Sequence, residues 1–279
     1  MIFQTTQVLE PRLNTIEHMR SLLDSICRVT TEAGLKIMPY YGKAGSLTLK
    51  ADASPLTAAD LASHEYLEEN LETLLPGVPV ISEESKERAE TTLGSRRYWL
   101  VDPLDGTKEF VKGTGEFTVN VALIEAGKPV LGVVHAPVLA LTYYGLQEHG
   151  AWCRSGSNPA ERITSRKADS ARLSVVASKD HAGPLVAAML ACMPGASLRS
   201  IGSSLKFCLV AEGRADLYLR DNPTMEWDTA AAQCVVEAAG GAIYELGGCP
   251  LAYGKANLRN PSLVTVGDPS FDWKSYVTR

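Results

Sequence analysis

Apolar residues recur every three to four positions at Leu13, Ile16, Met19, Leu22, Leu23, Ile26 and Cys27, a spacing that predicts an amphipathic helix stopped near Gly34. Leu61, Leu67, Leu71, Leu74 and Leu75 predict a second helix, closed by Pro76-Gly77. The period then shortens. Apolar runs at 78–81, 98–101, 118–124, 129–135, 141–146 and 150–153 predict short strands, and turn signals such as Ala126-Gly127-Lys128 make the last four an antiparallel meander. Arg154 to Ala171 is polar and carries Ser155-Gly156-Ser157-Asn158-Pro159, the expected crossing between an N-terminal α+β domain, 1–165, and a C-terminal α/β domain, 166–279. Past it, strand-like runs (173–177, 215–219, 242–246, 263–266) alternate with helical ones (184–192, 203–211, 229–239), the pattern of α/β layers.

Composition narrows the class. With 45% hydrophobic and 21% charged residues the chain can bury a core, which excludes disorder throughout. Twenty-seven Lys plus Arg against thirty-two Asp plus Glu leave a net charge of -5 and no basic footprint for nucleic acid. The longest apolar stretch, Leu185 to Met193, ends at Pro194, short of the ~20 residues a membrane span needs, so no integral membrane segment is expected. Met1-Ile2-Phe3-Gln4-Thr5-Thr6 lacks the basic and apolar regions of a signal peptide, and a cytoplasmic location follows as an expectation. Six cysteines without a Cys-x-x-Cys pair read as small buried apolar residues in a reducing compartment.

The candidate chemistry is acidic. Trp99-Leu100-Val101-Asp102-Pro103-Leu104-Asp105-Gly106-Thr107 carries Asp102 to the end of a strand, where Pro103 is expected to stop the ladder and Asp105 to open a turn. Two close carboxylates resist ionising together, and a bound divalent cation removes that cost; oxygen ligands alone favour magnesium, manganese or calcium. Glu83 and Glu84 follow a second short strand, and Asp228, in Glu226-Trp227-Asp228-Thr229-Ala230-Ala231, precedes a helix. Taken singly, Asp105 and Asp228 also fit helix caps and the glutamates a solvated face.

Asp-Pro-Leu-Asp-Gly-Thr at 102–107 with Trp-Asp-x-Ala-Ala at 227–231 resembles the paired signature of the inositol monophosphatase superfamily of magnesium-dependent, lithium-sensitive phosphatases, over roughly residues 13 to 266. Ser54-Pro55-Leu56-Thr57-Ala58-Ala59-Asp60, Asp105 to Phe110 and Gly115-Glu116-Phe117-Thr118-Val119-Asn120 resemble its CysQ-type 3'(2'),5'-bisphosphate nucleotidases. The resemblance implies the α/β (α+β layered) fold of inositol monophosphatases and fructose-1,6-bisphosphatases, with alternating helix and sheet layers. It implies hydrolysis of the 3'-phosphate of adenosine 3',5'-bisphosphate to AMP and phosphate in sulfur assimilation, the sulfated nucleotide being a second candidate substrate. Two or more Mg2+ are implied, replaceable by Mn2+: Glu83, Asp102 and the Leu104 carbonyl for one, Asp102, Asp105 and Asp228 for another. Thr107 with Asp60 would orient the attacking water, and the Gly106 and Thr107 amides would take a phosphate oxygen. Ser203, Lys206 and Arg220 would bind the second phosphate, and Ser178 and His181 would approach the adenosine. The expected partner is this small nucleotide; a peripheral seat on the inner face of the cell membrane stays open.

Three alternatives stand beside this reading. An inositol monophosphatase or related sugar phosphatase would use the same acids. Ser203-Ser204-Leu205-Lys206 is formally the Ser-x-x-Lys nucleophile motif, although Ser-Asp-Asn and Lys-Thr-Gly are missing from the chain. A metabolite or cation sensor on the same scaffold would not need the intact acidic set.

Overall fold

Thr15 opens the first helix, α1 (Ile16–Ile37), by accepting the His18 amide on its hydroxyl. The computed structural model describes residues 15–42, 47–49, 55–88, 95–177 and 183–277. Gly34 lies inside α1 and does not end it: a Cβ there would stand 2.7 Å from His135 Cδ2, so the glycine lets the helix lie close against the sheet. The helix stops at Ile37, where a short 3-10 turn with Pro39 follows. A small hairpin of β1 (Leu47–Leu49) and β2 (Pro55–Thr57) leads into α2 (Ala58–Leu74), which ends before Pro76-Gly77 as expected.

The main sheet takes β3 (Val80–Ser82), β4 (Arg97–Asp105), β5 (Thr118–Glu125), β6 (Lys128–Ala136), β7 (Leu141–Leu146), β8 (Gly150–Ser155) and β9 (Glu161–Ile163) in that order. β3 runs parallel to β4, and every later neighbour is antiparallel, so the meander of β5 to β8 is observed. Alternation along β4 sends Trp99 and Val101 to one face, with Leu23, Ile26 and Leu67 of α1 and α2. Tyr98 and Leu100 go to the other, with Ala231 and Val235. Both faces are therefore covered, which is why these strands read as near-continuous apolar runs.

The second face is covered by α5 (Leu205–Ala211) and α6 (Ala230–Ala238). Gly132 of β6 makes this contact close: a Cβ there would stand 2.3 Å from the Ala231 carbonyl oxygen. Beyond these helices lies a five-stranded sheet ordered β11 (Ser197–Ser200), β10 (Ser174–Ala177), β12 (Leu217–Arg220), β16 (Leu263–Val266), β14 (Ala242–Glu245). Its first three strands are parallel, and β16 is antiparallel to both neighbours. A short pair, β13 (Thr224–Met225) with β15 (Arg259–Asn260), sits beside it. On the outer face, Val175, Leu217 and Val264 pack with Val186 and Met189 of α4 (Pro184–Ala191). The layers thus run helix, sheet, helix, sheet, helix, the alternation expected.

Two details differ from expectation. Cys27, Cys208 and Cys234 are buried, but Cys192 and Cys249 are exposed, so only part of the set behaves as core. The edge strands β9 and β11 give no apolar signal; all four residues of β11 are exposed. Among the described residues, no helix is long and apolar enough to cross a membrane.

Candidate active site

A strand's side chains alternate faces, so Asp102 and Asp105, three residues apart on β4, should point to opposite sides. The pairing with β5 prevents this. Asp102 faces Asn120 and Asp105 faces Thr118, with a register shift between them, so three steps on β4 match two on β5. Pro103-Leu104 supplies the extra residue of a bulge, and both carboxylates come to one side. Pro103 therefore offsets the ladder without stopping it, contrary to expectation, and its carbonyl accepts the Ser63 hydroxyl of α2 at 2.9 Å. Gly106, at φ 93°, then turns the chain into α3 (Thr107–Lys112), whose N-terminus no side chain caps. Asp105 is thus not the helix cap, and Thr107 Oγ1 reaches back to the Leu104 carbonyl at 3.4 Å.

Four more acids converge on Asp102. Its carboxyl is buried, and burial, followed by repulsion from Glu83, Asp105, Asp228 and Asp60, pushes its pKa well above the usual range. Glu83 arrives on the turn after β3, Asp60 on the first turn of α2, where it is fully buried, and Asp228 just before α6. Asp228 is pushed up to about 7 by burial and then by Asp105, while the Met225 amide and the Arg220 charge pull the other way. It does not cap α6, whose N-cap is Thr229; its Oδ2 accepts the Met225 amide at 2.8 Å.

The cluster is not a closed cage as it stands. Among the described residues, no three His, Cys, Asp or Glu side chains are grouped tightly enough to hold an ion. Asp102 Oδ1 accepts the Leu104 amide at 3.1 Å, and Asp105 Oδ2 is taken by serines from the C-terminal half. The donor set nonetheless fits a hard divalent cation: oxygens only, five carboxylates coupled through burial and mutual repulsion, and a positive charge that would relieve both.

The residues expected to read substrate are not all open. Ser203, at φ 55°, is buried, and its hydroxyl donates to Asp105 Oδ2 at 2.6 Å. Lys206 is neither a solvated charge nor a partner of Ser203: it is 5% exposed, its Nζ donates to the Ile201 carbonyl at 3.4 Å and it lies 5.7 Å from the centre of the Tyr218 ring. This arrangement gives no support to a Ser-x-x-Lys nucleophile. Arg220 ends β12, donates from Nε to the Asn222 carbonyl at 3.2 Å and acts on Asp228 through its charge. Ser178 and His181 lie outside the described residues.

Several polar residues at the site carried no role in the sequence reading. Thr118 Oγ1 stands 2.6 Å from Ser203 Oγ and 2.9 Å from Asn120 Oδ1, and Asn120 Nδ2 donates to Ser204 Oγ at 3.0 Å. Two polar residues on one face of the otherwise apolar β5 were the available signal. His64 lies one helical turn beyond Asp60, and its Nδ1 is 3.0 Å from the Ser82 hydroxyl, next to Glu83.

Comparison with known proteins finds similarity over most of the chain. The model of the inositol monophosphatase family matches residues 18–268. The 3'(2'),5'-bisphosphate nucleotidase CysQ of Escherichia coli K12 is 47% identical over 234 residues, covering 83% of this chain and 94% of the relative. The protein of that name in Haemophilus influenzae is 37% identical over 269 residues, covering 91% and 96%. The crystal structure of CysQ from Bacteroides thetaiotaomicron superposes with a TM-score of 0.78 at 38% identity, over 88% of this chain and 97% of that one. An IMPase from Thermotoga maritima shares the fold at a TM-score of 0.76 and 24% identity, over 92% and 96%.

Proposed function

The chain belongs to the inositol monophosphatase family, and from that premise we propose that it is a magnesium-dependent 3'(2'),5'-bisphosphate nucleotidase, hydrolysing the 3'-phosphate of adenosine 3',5'-bisphosphate to give AMP and phosphate. The sulfated analogue is a second substrate in this reading, which places the enzyme in sulfur assimilation. Glu83, Asp102, Asp105, Asp228 and the Leu104 carbonyl would hold two or more Mg2+, with Mn2+ as a substitute. When bound, such ions neutralise the phosphate and lower the pKa of water.

The protein's own residues divide the remaining work. Asp60 and Thr107 would orient the attacking water. The uncapped turn at Gly106-Thr107 offers backbone N–H groups to a phosphate oxygen. Arg220, whose charge acts on Asp228 at the edge of the acidic cluster, would hold the 5'-phosphate; the 47% identity to the Escherichia coli nucleotidase over 94% of that relative is the observation that carries this reading over an inositol monophosphatase. The substrate of an inositol monophosphatase carries one phosphate and leaves such a cation without a second anion.

The test is phosphate release from adenosine 3',5'-bisphosphate, inositol 1-phosphate and fructose 1,6-bisphosphate by the purified protein, each with Mg2+ and with chelator. The nucleotide should lead in kcat/KM, and chelator should abolish turnover. Faster hydrolysis of inositol phosphate would move the protein to the runner-up class, and no release from any of them would favour a sensor.

A further inference from the structure

The Asp105 carboxylate is gripped through one oxygen. Its Oδ2 accepts the Ser203 hydroxyl at 2.6 Å, the Ser204 amide at 2.7 Å, the Ser204 hydroxyl at 2.8 Å and, more distantly, the Asn120 amide at 3.5 Å. One carboxylate oxygen ordinarily has about two lone-pair sites, so Oδ2 is saturated and the rotation of the carboxylate is fixed. None of these donors engages Oδ1.

The bonds at Ser204 have a direction. Ser204 is 1% exposed; its hydroxyl oxygen accepts Asn120 Nδ2 at 3.0 Å and lies 2.8 Å from Asp105 Oδ2 and 3.0 Å from the Asp228 carbonyl. It has one proton to give, and an ionised carboxylate is a stronger acceptor than a carbonyl. The proton therefore goes to Asp105, while Asn120 satisfies the oxygen behind it. The chain from Asn120 through Ser204 to Asp105 joins β5, the start of α5 and the end of β4.

We propose that Asn120 and Ser204 are positioning residues that turn Asp105 so that Oδ1 alone faces a divalent cation. The proposal rests on reading the five carboxylates as a cation site. Partners that hold a metal ligand in place typically change affinity or activity by about 10- to 100-fold when removed.

The experiment is titration calorimetry of Mg2+ into substrate-free protein for the parent, Asn120→Ala, Ser204→Ala and the near-isosteric Ser204→Cys, with circular dichroism in chelator to verify folding. Each variant should bind Mg2+ at least ~10-fold more weakly, while KM for the nucleotide at saturating metal stays that of the parent. Should Ser204→Ala fail to fold, Ser204→Cys and Asn120→Ala carry the measurement. Folded variants that bind Mg2+ as tightly as the parent, or that lose nucleotide affinity instead, overturn this proposal and leave the nucleotidase reading intact. A parent that binds no divalent cation overturns both.

Discussion

Arg166 grips the buried carboxylate of Asp216 with two parallel bonds, Nε to Oδ1 at 2.7 Å and Nη2 to Oδ2 at 2.8 Å. Asp216 stands just ahead of β12 and also accepts the Ser174 amide at 2.6 Å, so the pair fastens the polar crossing after β9 to the second sheet. Its carboxylate is 1% exposed and the arginine side chain 43%. Removing one partner of a buried pair leaves an uncompensated charge, here tempered by water at the arginine. Arg166→Ala should cost ~2 kcal/mol in urea unfolding with kcat/KM unchanged. A loss of activity without loss of stability would place Arg166 in the catalytic machinery.

Asp105→Asn and Asp228→Asn should each lower turnover by at least ~100-fold, the scale on which one electrostatic contact to a transition state is lost. An amide at 105 would keep its oxygen on the serine donors and turn its NH2 toward the cation. Stability in chelator should be unchanged or higher, because each change removes a charge repelled by its buried neighbours. Near-parental turnover at saturating Mg2+ in either variant argues against the cation assignment.

Arg220 and Lys206 can be separated. A charged hydrogen bond to phosphate is worth ~1.5–3 kcal/mol, so Arg220→Ala should lower kcat/KM for adenosine 3',5'-bisphosphate by roughly 10- to 150-fold while barely affecting 3'-AMP. Lys206, buried against Tyr218 with its Nζ on Ile201, should act differently. Lys206→Met should alter stability and leave the ratio of the two specificity constants close to the parent's. A ratio that falls for Lys206→Met and not for Arg220→Ala would reverse the assignment.

Lithium should inhibit and sodium should not at equal ionic strength. Lithium approaches magnesium in size with half its charge, so it can enter a carboxylate site without the same Lewis acidity. Equal responses to the two ions in a phosphate-release assay would count against the family-derived site.

His135 gives a pH dependence remote from the acidic cluster. Its Nδ1 lies 3.0 Å from the Thr142 hydroxyl, its ring packs against Gly34 of α1, and burial, with a smaller push from Arg154 against the Leu141 backbone, lowers its pKa to about 4. The folded value lies below the ordinary ~6.5, so the unfolded chain takes up the proton first. Stability from this group is full above pH 6.5 and falls toward pH 4 by up to ~3 kcal/mol. Unfolding of parent and His135→Gln at pH 7 and pH 5 should show the smaller loss in the variant; identical losses would contradict a buried neutral imidazole.

Periodicity alone fixed much of the fold. The helices at Ile16–Ile37 and Ala58–Leu74 and the meander after Thr118 were legible because each buries an apolar face whose spacing is written along the chain. The acidic motifs around Asp102 and Asp228 were legible because their residues are neighbours in sequence. What depended on contacts between distant segments was not. Gly34 looks like a stop until His135 is placed against it. Pro103 looks like the end of a ladder until the register with β5 makes it half of a bulge. β11 is exposed along its whole length and has no core face to advertise. Lys206 stands in the sequence as a cation for the second phosphate until the fold buries it against Tyr218, and Ser204 carries no role of its own there until Asp105, 99 residues away, closes on it. Sequence records what a residue does to its own segment; which buried polar atom meets which donor is decided only when the layers pack and each must find a partner away from water.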